Sequence, residues 1–271
     1  MTETRYLDLP DGRLAYEETG DPDGPLVICS PGMGDLRSTF DRLAATLASD
    51  GARVVTADLR GHGGSSIGWP DYSPAAVAGD LLALTAALGG RAVLVGNSYS
   101  GSAAVIAAAR EPAAVAGLVL AGAFVREHPA SLPQRLLTAP FARTWPGRPL
   151  WTLAAWPSFF KRRPDDFAAR RAELRASLAR PGGYEALRGM TVGPGHAATE
   201  PLLAEVRAPA LVVMGTEDPD FPDPAAEARF TADALGGGAT VLMVDGVGHY
   251  PQAEAPALVG PAVAEFVRKV A

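Results

Sequence analysis

Unbroken apolar runs recur along the first half of this chain: Leu26 to Cys29, Arg53 to Ala57, Ala92 to Val95 and Val115 to Phe124. A strand that is apolar on both faces belongs in a parallel sheet covered on both sides. Between these runs the apolar spacing becomes helical. Phe40, Leu43, Ala44 and Leu47 share a face of a helix predicted from Phe40 to Ala48. Val77, Leu81, Leu84 and Leu88 share a face of a second helix, opened by the Ser73-Pro74 cap. Asp11-Gly12, between Arg5 to Leu9 and Arg13 to Glu17, predicts a hairpin at the start. Strands alternating with helices predict an α/β fold with a mostly parallel central sheet flanked by helices.

The rhythm stops near residue 125. From Arg126 to Arg207 there are several prolines, five large aromatics between Trp145 and Phe160, and an arginine-rich helical pattern over Asp165 to Ala179, but no strand run. This predicts a helical lid inserted over 125–207 into a core made of 1–124 and 208–271. The core pattern resumes with a strand at Ala210 to Met214, a helix across Pro224 to Leu235, a strand at Thr240 to Val244 and a helix from Ala255 to Val270.

Composition adds limits. Over 271 residues, 48% apolar and 20% charged content is that of a globular protein. A net charge of -6 argues against nucleic acid as the main partner. The charge is uneven: Arg126 to Arg207 carries 13 Arg/Lys against 7 Asp/Glu, while the rest carries 11 against 23. Two readings of the basic insertion stay open: solvated helix faces with arginine stems on apolar surface, or a lid that favours anionic substrates. Cys29, the only cysteine, excludes an intrachain disulfide and reads as a small buried strand residue. The N-terminal residues do not read as a signal peptide. The apolar stretch from Ala103 to Val125 is interrupted by Arg110, Glu111 and Pro112, so no membrane span or membrane partner is expected. The expectation is a cytoplasmic enzyme with a small-molecule substrate; nothing in the sequence indicates an oligomeric state.

The chemistry gathers at predicted strand ends. Ala92 to Val95 runs into Gly96-Asn97-Ser98-Tyr99-Ser100-Gly101 and then an alanine-rich helix. A sharp strand-to-helix turn lifts a serine hydroxyl above the sheet edge, and small flanking residues let strand and helix approach. A serine nucleophile needs a base, and the base needs an orienting acid. Among four histidines, His249 follows the last strand; His62 follows the Arg53 to Ala57 strand; His128 and His196 fall in the insertion. For the acid, Asp218 follows the Ala210 to Met214 strand, beside Glu217, Asp220 and Asp223. Backbone N–H groups of Tyr99 and of Met33, in Pro31-Gly32-Met33-Gly34, can hold an oxyanion.

On these residues the chain resembles the α/β-hydrolase superfamily, in its lidded branch of esterases, lactonases, C–C bond hydrolases and cofactor-free haloperoxidases. Gly96 to Ser100 matches its nucleophile elbow, Asp58-Leu59-Arg60-Gly61-His62-Gly63-Gly64-Ser65 its D-x-R-G-H-G-x-S loop, Gly215 to Asp218 its acid loop, and Gly248-His249 its terminal G-H. Ser100 replaces a commoner glycine, and Pro31-Gly32 stands where His-Gly often opens the oxyanion loop.

The resemblance implies a Ser98–Asp218–His249 triad, an acyl-enzyme intermediate and no metal or organic cofactor. It implies a carboxylic ester or lactone substrate, with C–C bond hydrolase, thioesterase, and perhydrolase or haloperoxidase activities as alternatives. A ligand-binding receptor that keeps the fold is the alternative of another class. Epoxide hydrolase and haloalkane dehalogenase are disfavoured, since those relatives carry aspartate where this chain has Ser98. Competing assignments are Ser100 or Ser102 as nucleophile, Glu127 as acid, and a bracing role for His62. Trp151, Trp156 and Phe159 are candidates for the substrate wall, with Trp145 and Phe160 in the same aromatic group; lid core is the other reading. His249 is expected to lose activity as pH drops through about 6.5, subject to its environment.

Overall fold

A computed structural model describes residues 3–127, 139–192 and 195–271 of the chain. Eight strands form one sheet among the described residues: β1 (Arg5–Leu9), β2 (Gly12–Gly20), β3 (Leu26–Ser30), β4 (Arg53–Ala57), β5 (Ala92–Asn97), β6 (Val115–Ala121), β7 (Ala210–Gly215) and β8 (Ala239–Val244). Their spatial order is β1-β2-β4-β3-β5-β6-β7-β8. The β1–β2 and β2–β4 pairs are antiparallel and every later pair is parallel. The Asp11-Gly12 hairpin therefore sits at one edge, and the all-apolar strands lie inside.

The helices that cover the sheet include α1 (Asp41–Ser49), α2 (Pro74–Leu88) and α3 (Tyr99–Arg110). Ser73 caps α2 by accepting from the Ala76 N–H at 3.2 Å. Between β6 and β7 come α4 (Thr144–Leu150), a π-helical turn (Trp151–Ala155), α5 (Trp156–Ser158), α6 (Phe167–Ala179) and α7 (Gly183–Thr191). There is no strand among the described residues of that stretch. After β7 follow α8 (Pro224–Ala234), α9 (Pro251–Glu254) and α10 (Pro256–Val270). Among the described residues no helix is long and apolar enough to cross a membrane.

Two cores sandwich the sheet. Ile28, Leu94 and Leu118 pack under α2 and α3 with Leu81 and Ile106. Val27, Val93 and Val119 pack on the other face with Leu43 of α1 and Val263 of α10. Alternate residues of the same strands thus enter opposite cores, which explains their unbroken apolar composition. Cys29 is fully buried, as expected, and burial pushes its thiol pKa up. The insertion has its own aromatic core of Trp156, Phe160, Phe167 and Tyr184, joined by Leu36 and Tyr250.

Two elements differ from expectation. The helix expected from Phe40 begins as a 3₁₀ turn at Arg37–Phe40, and α1 starts at Asp41. The strand expected to reach Phe124 stops at Ala121. Gly122 then takes φ +52°, a left-handed conformation that glycine adopts readily. A side chain there would crowd Asp218 and His249, with a Cβ 3.1 Å from both Asp218 Oδ2 and His249 Nδ1.

Candidate active site

Ser98 stands between the end of β5 and the start of α3, with φ 54° and ψ -117°. It is the only non-glycine with positive φ among the described residues. Such a conformation costs on the order of 1–3 kcal/mol and persists only where its surroundings enforce it. Here they do. A Cβ on Gly96 would lie 2.5 Å from the Ser100 carbonyl oxygen, and a Cβ on Gly32 would lie 2.9 Å from Ser98 Cβ. The Ser98 N–H donates to Ala121 O at 2.9 Å, fastening the turn to β6.

The competing hydroxyls are committed elsewhere. Ser100 Oγ donates to Pro31 O at 2.5 Å and lies 2.9 Å from Ser30 Oγ. The serine that departs from the usual glycine therefore ties the elbow to the loop after β3. Ser102 Oγ donates to Phe124 O and lies 2.6 Å from His196 Nδ1.

The loop after β3 is braced from two sides. The Gly34 N–H donates to His62 Nε2 at 3.2 Å, and His62 Nδ1 pairs with Arg60 O at 3.0 Å. These partners assign the proton of His62 to Nδ1. Complete burial pushes its pKa down to about 4, so it is a neutral brace. Trp151 Nε1 donates to Gly34 O at 3.1 Å, and its indole leaves no room for a side chain on Gly34. The Met33 N–H has no hydrogen-bond partner among the described residues. The Tyr99 N–H, first in α3, has no intrahelical partner. The Tyr99 phenol donates to Tyr72 O at 2.6 Å, so its side chain is engaged away from the elbow.

His249 Nδ1 lies 2.8 Å from Asp218 Oδ2, with both side chains buried. Asn97 Nδ2 donates to Ala121 O at 2.8 Å and to His249 O at 3.1 Å, linking the elbow to the histidine loop. The His249 N–H donates to Phe159 O at 3.0 Å. Glu254, which sequence reasoning did not single out, accepts from four N–H groups: Lys161 (2.8 Å), Arg162 (2.8 Å), Gly248 (3.2 Å) and Tyr250 (3.1 Å). One buried carboxylate thus joins the insertion to the histidine loop. Its position at the end of a short helix, just before α10, was the sole sequence clue.

No hydrogen bond joins Ser98 and His249; the Nε2 of His249 instead lies 3.5 Å from Asp220 Oδ2. Burial draws the His249 pKa down, but Asp218, Asp220 and Glu254 more than offset it and raise the pKa to about 9. The expected value near 6.5 is therefore corrected upward, because the ring is enclosed with three carboxylates. Burial raises the pKa of Asp220, with His249 opposing it and Asp218 adding to it. Asp218, Asp220 and His249 are also the one His/Cys/Asp/Glu group among the described residues compact enough to surround a cation. With Nδ1 spent on Asp218, too few free ligand atoms remain for a zinc site.

The aromatic candidates separate. Phe159 has its ring 5.6 Å from that of His249 and 6.1 Å from that of Trp151. Trp156 is fully buried against Phe160 and Phe167, with ring centroids 4.8 and 5.0 Å away. Its assignment to the substrate wall is corrected: it has no surface to offer a substrate. Trp145 is 78% exposed and borders an outer cavity of about 460 Å³ with Arg148, Leu153 and Arg175, away from Ser98. Glu127 accepts from the N–H groups of His196 and Ala197, which commits the alternative acid to the insertion. His128 lies outside the described residues.

Several arginines from the stretch between β6 and β7 pair with residues outside that stretch. Arg126 pairs with Glu227 at 2.5 Å, Arg162 donates to Asp245 O at 3.0 Å, and Arg180 donates to Ser65 O and Gly61 O at 3.3 and 3.4 Å.

Over its full length the chain is similar in structure to an esterase from Thermogutta terrifontis (TM-score 0.80, 25% identity, 99% of each chain) and to esterase RhEst1 from Rhodococcus (0.80, 25%, 100% of each). In sequence it is similar to a putative carbamate hydrolase, RutD, from Variovorax paradoxus (35% identity over 113 residues, 41% of this chain and 42% of that protein). It is similar also to epoxide hydrolase A of Mycobacterium tuberculosis (36% over 104 residues, 35% and 30%). The match spans less than half the length of these curated relatives. Residues 26–262 match the model of the alpha/beta hydrolase family, and the chain belongs to that family.

Proposed function

We propose that this chain is a serine hydrolase of carboxylic esters or lactones, and that the helices between β6 and β7 are its lid. The observation that carries the reading is Ser98 in its enforced left-handed turn, with the buried His249–Asp218 pair tethered to the same turn through Asn97. The likeness to two esterases along the whole chain supports it. Ser98 is 6% exposed and His249 2%, an enclosure consistent with a lid. A serine at the elbow, instead of a carboxylate, favours acyl transfer over epoxide opening.

In this mechanism His249 Nε2 takes the Ser98 proton as Oγ attacks the substrate carbonyl carbon. The Met33 and Tyr99 N–H groups hold the oxyanion. The intermediate collapses to an acyl-serine, and the leaving alkoxide takes the proton from His249. A water then gives its proton to His249 and attacks the acyl carbon, and the acid leaves as His249 returns that proton to Ser98 Oγ. Asp218 holds the Nδ1–H tautomer and stabilises the imidazolium throughout. No step calls for a metal or organic cofactor.

A fluorophosphonate probe tests the reading. Wild type is expected to label and to turn over p-nitrophenyl acetate, with both lost in Ser98→Ala. Labelling that survives in Ser98→Ala overturns it by placing the nucleophile elsewhere, and a wild type that never labels overturns it and favours the ligand-binding reading. Because neutral His249 is the base, kcat/KM is expected to rise from neutral pH toward about 9. The stability contributed by His249 moves the other way: full below its unfolded pKa of about 6.5, lost as pH rises through about 9.

A further inference from the structure

The acid loop carries a carboxylate that the triad does not use. Asp218 faces Nδ1 of His249 at 2.8 Å, and Asp220 faces Nε2 at 3.5 Å. The Asp220 N–H donates to Asp218 Oδ1 at 3.0 Å, so the turn through Pro219 holds one carboxylate toward each ring nitrogen. Nε2 is the atom that must take the Ser98 proton, yet no hydrogen bond joins it to Ser98.

We propose that Asp220 is a positioning residue that competes with Ser98 for Nε2 of His249 and so sets the pH at which this histidine begins to act as a base. The proposal rests on the triad reading above. An ionised Asp220 can only accept, so its contact with Nε2 is then favourable when that nitrogen carries a proton. Nδ1 already donates to Asp218, hence the ring facing both carboxylates is the imidazolium. Proton transfer from Ser98 begins once the ring has lost the Nε2 proton and turned from Asp220.

The other groups around the ring do not substitute for Asp220. Phe124 and Phe159 are uncharged, and the Tyr250 phenol is held neutral by burial. Glu254 is anionic but bound by four N–H groups. His196 stacks on Phe124, with centroids 5.2 Å apart, and its Nδ1 meets Ser102. Lys161 pairs with Glu217 at 3.9 Å, and Arg162 with Asp245 O. Among the described residues no Lys or Arg pairs with Asp220.

The test is the pH profile of kcat/KM for p-nitrophenyl acetate, from about pH 5 to about pH 10, in wild type, Asp220→Asn, Asp220→Ser and Asp220→Glu. Removing the charge is expected to move the acidic limb down by about one unit or more. Both neutral variants then outrun wild type by up to about tenfold below its limb, a gain that structural damage does not produce. Asp220→Glu is expected to keep the wild-type limb. Limbs that coincide in wild type and whichever neutral variant folds overturn the proposal while leaving the triad intact. If wild type neither labels nor turns over, the triad reading fails instead. An NMR titration of the His249 ring then decides the Asp220 contact: a pKa unchanged between wild type and Asp220→Asn rejects it.

Discussion

The elbow and the histidine loop bring the two halves of one chemistry together by different means. Ser98 is fixed among the strand ends of the sheet: close approaches at Gly96 and Gly32, and the Ser98 N–H on Ala121, hold the turn. His249 is fixed at long range. Asp218 comes from the end of β7, Phe159 O and the Glu254 contacts come from the insertion, and Asn97 comes from the elbow. The proposed nucleophile therefore belongs to the sheet, whereas the proposed base depends also on polar contacts with the stretch between β6 and β7. Substitutions at the elbow are expected to act on chemistry, and substitutions around the histidine loop on chemistry and stability together.

The largest expected effect sharpens the chemical side. Asp218→Asn keeps the shape but gives His249 the wrong hydrogen-bond partner, and a loss of about 10⁴-fold in kcat is expected. Titrating this variant beside Ser98→Ala checks that both fall to a similar floor. Next, Glu254→Ala leaves four N–H groups without their carboxylate. A loss of roughly 2–3 kcal/mol in urea unfolding is expected, together with lower kcat. A full loss of activity with unchanged stability breaks the distinction between the two regions.

Trp151→Phe removes the donor to Gly34 O together with part of the indole that packs on Gly34, on the opposite side of the site. A drop of a few-fold in kcat is expected, from about 1 kcal/mol of lost loop bracing. The smallest effect belongs to the insertion's outer face. Leu153→Ser, at a residue 60% exposed, is expected to change stability by less than about 0.5 kcal/mol and kcat/KM hardly at all. A large change in kcat/KM there brings the outer cavity into the substrate path.

The sheet was legible because its signal is local. Apolar runs such as Val93 to Val95 need both faces covered, and glycines such as Gly96 and Gly32 mark close approaches. Ser98, Asp218 and His249 could be singled out as candidates for the same reason, since each follows a strand. Bracing by His62 was legible as a role but not by partner, because Gly34 is 28 residues away in the chain. Ser100 read as a weaker flank than glycine, and the fold uses its hydroxyl.

What the sequence alone determined is the alternation of strand and helix, the helical break in it, and the residue types a nucleophilic site requires. These follow from periodicity and from side-chain chemistry, both of which are properties of short stretches. Only the tertiary structure decided that Glu254 joins the insertion to the histidine loop, that Trp156 is core while Phe159 meets His249, and that Asp220 rather than Ser98 faces Nε2. Those contacts depend on the relative placement of chain segments far apart in sequence, and on charges whose influence acts through space. Residue order cannot carry either one.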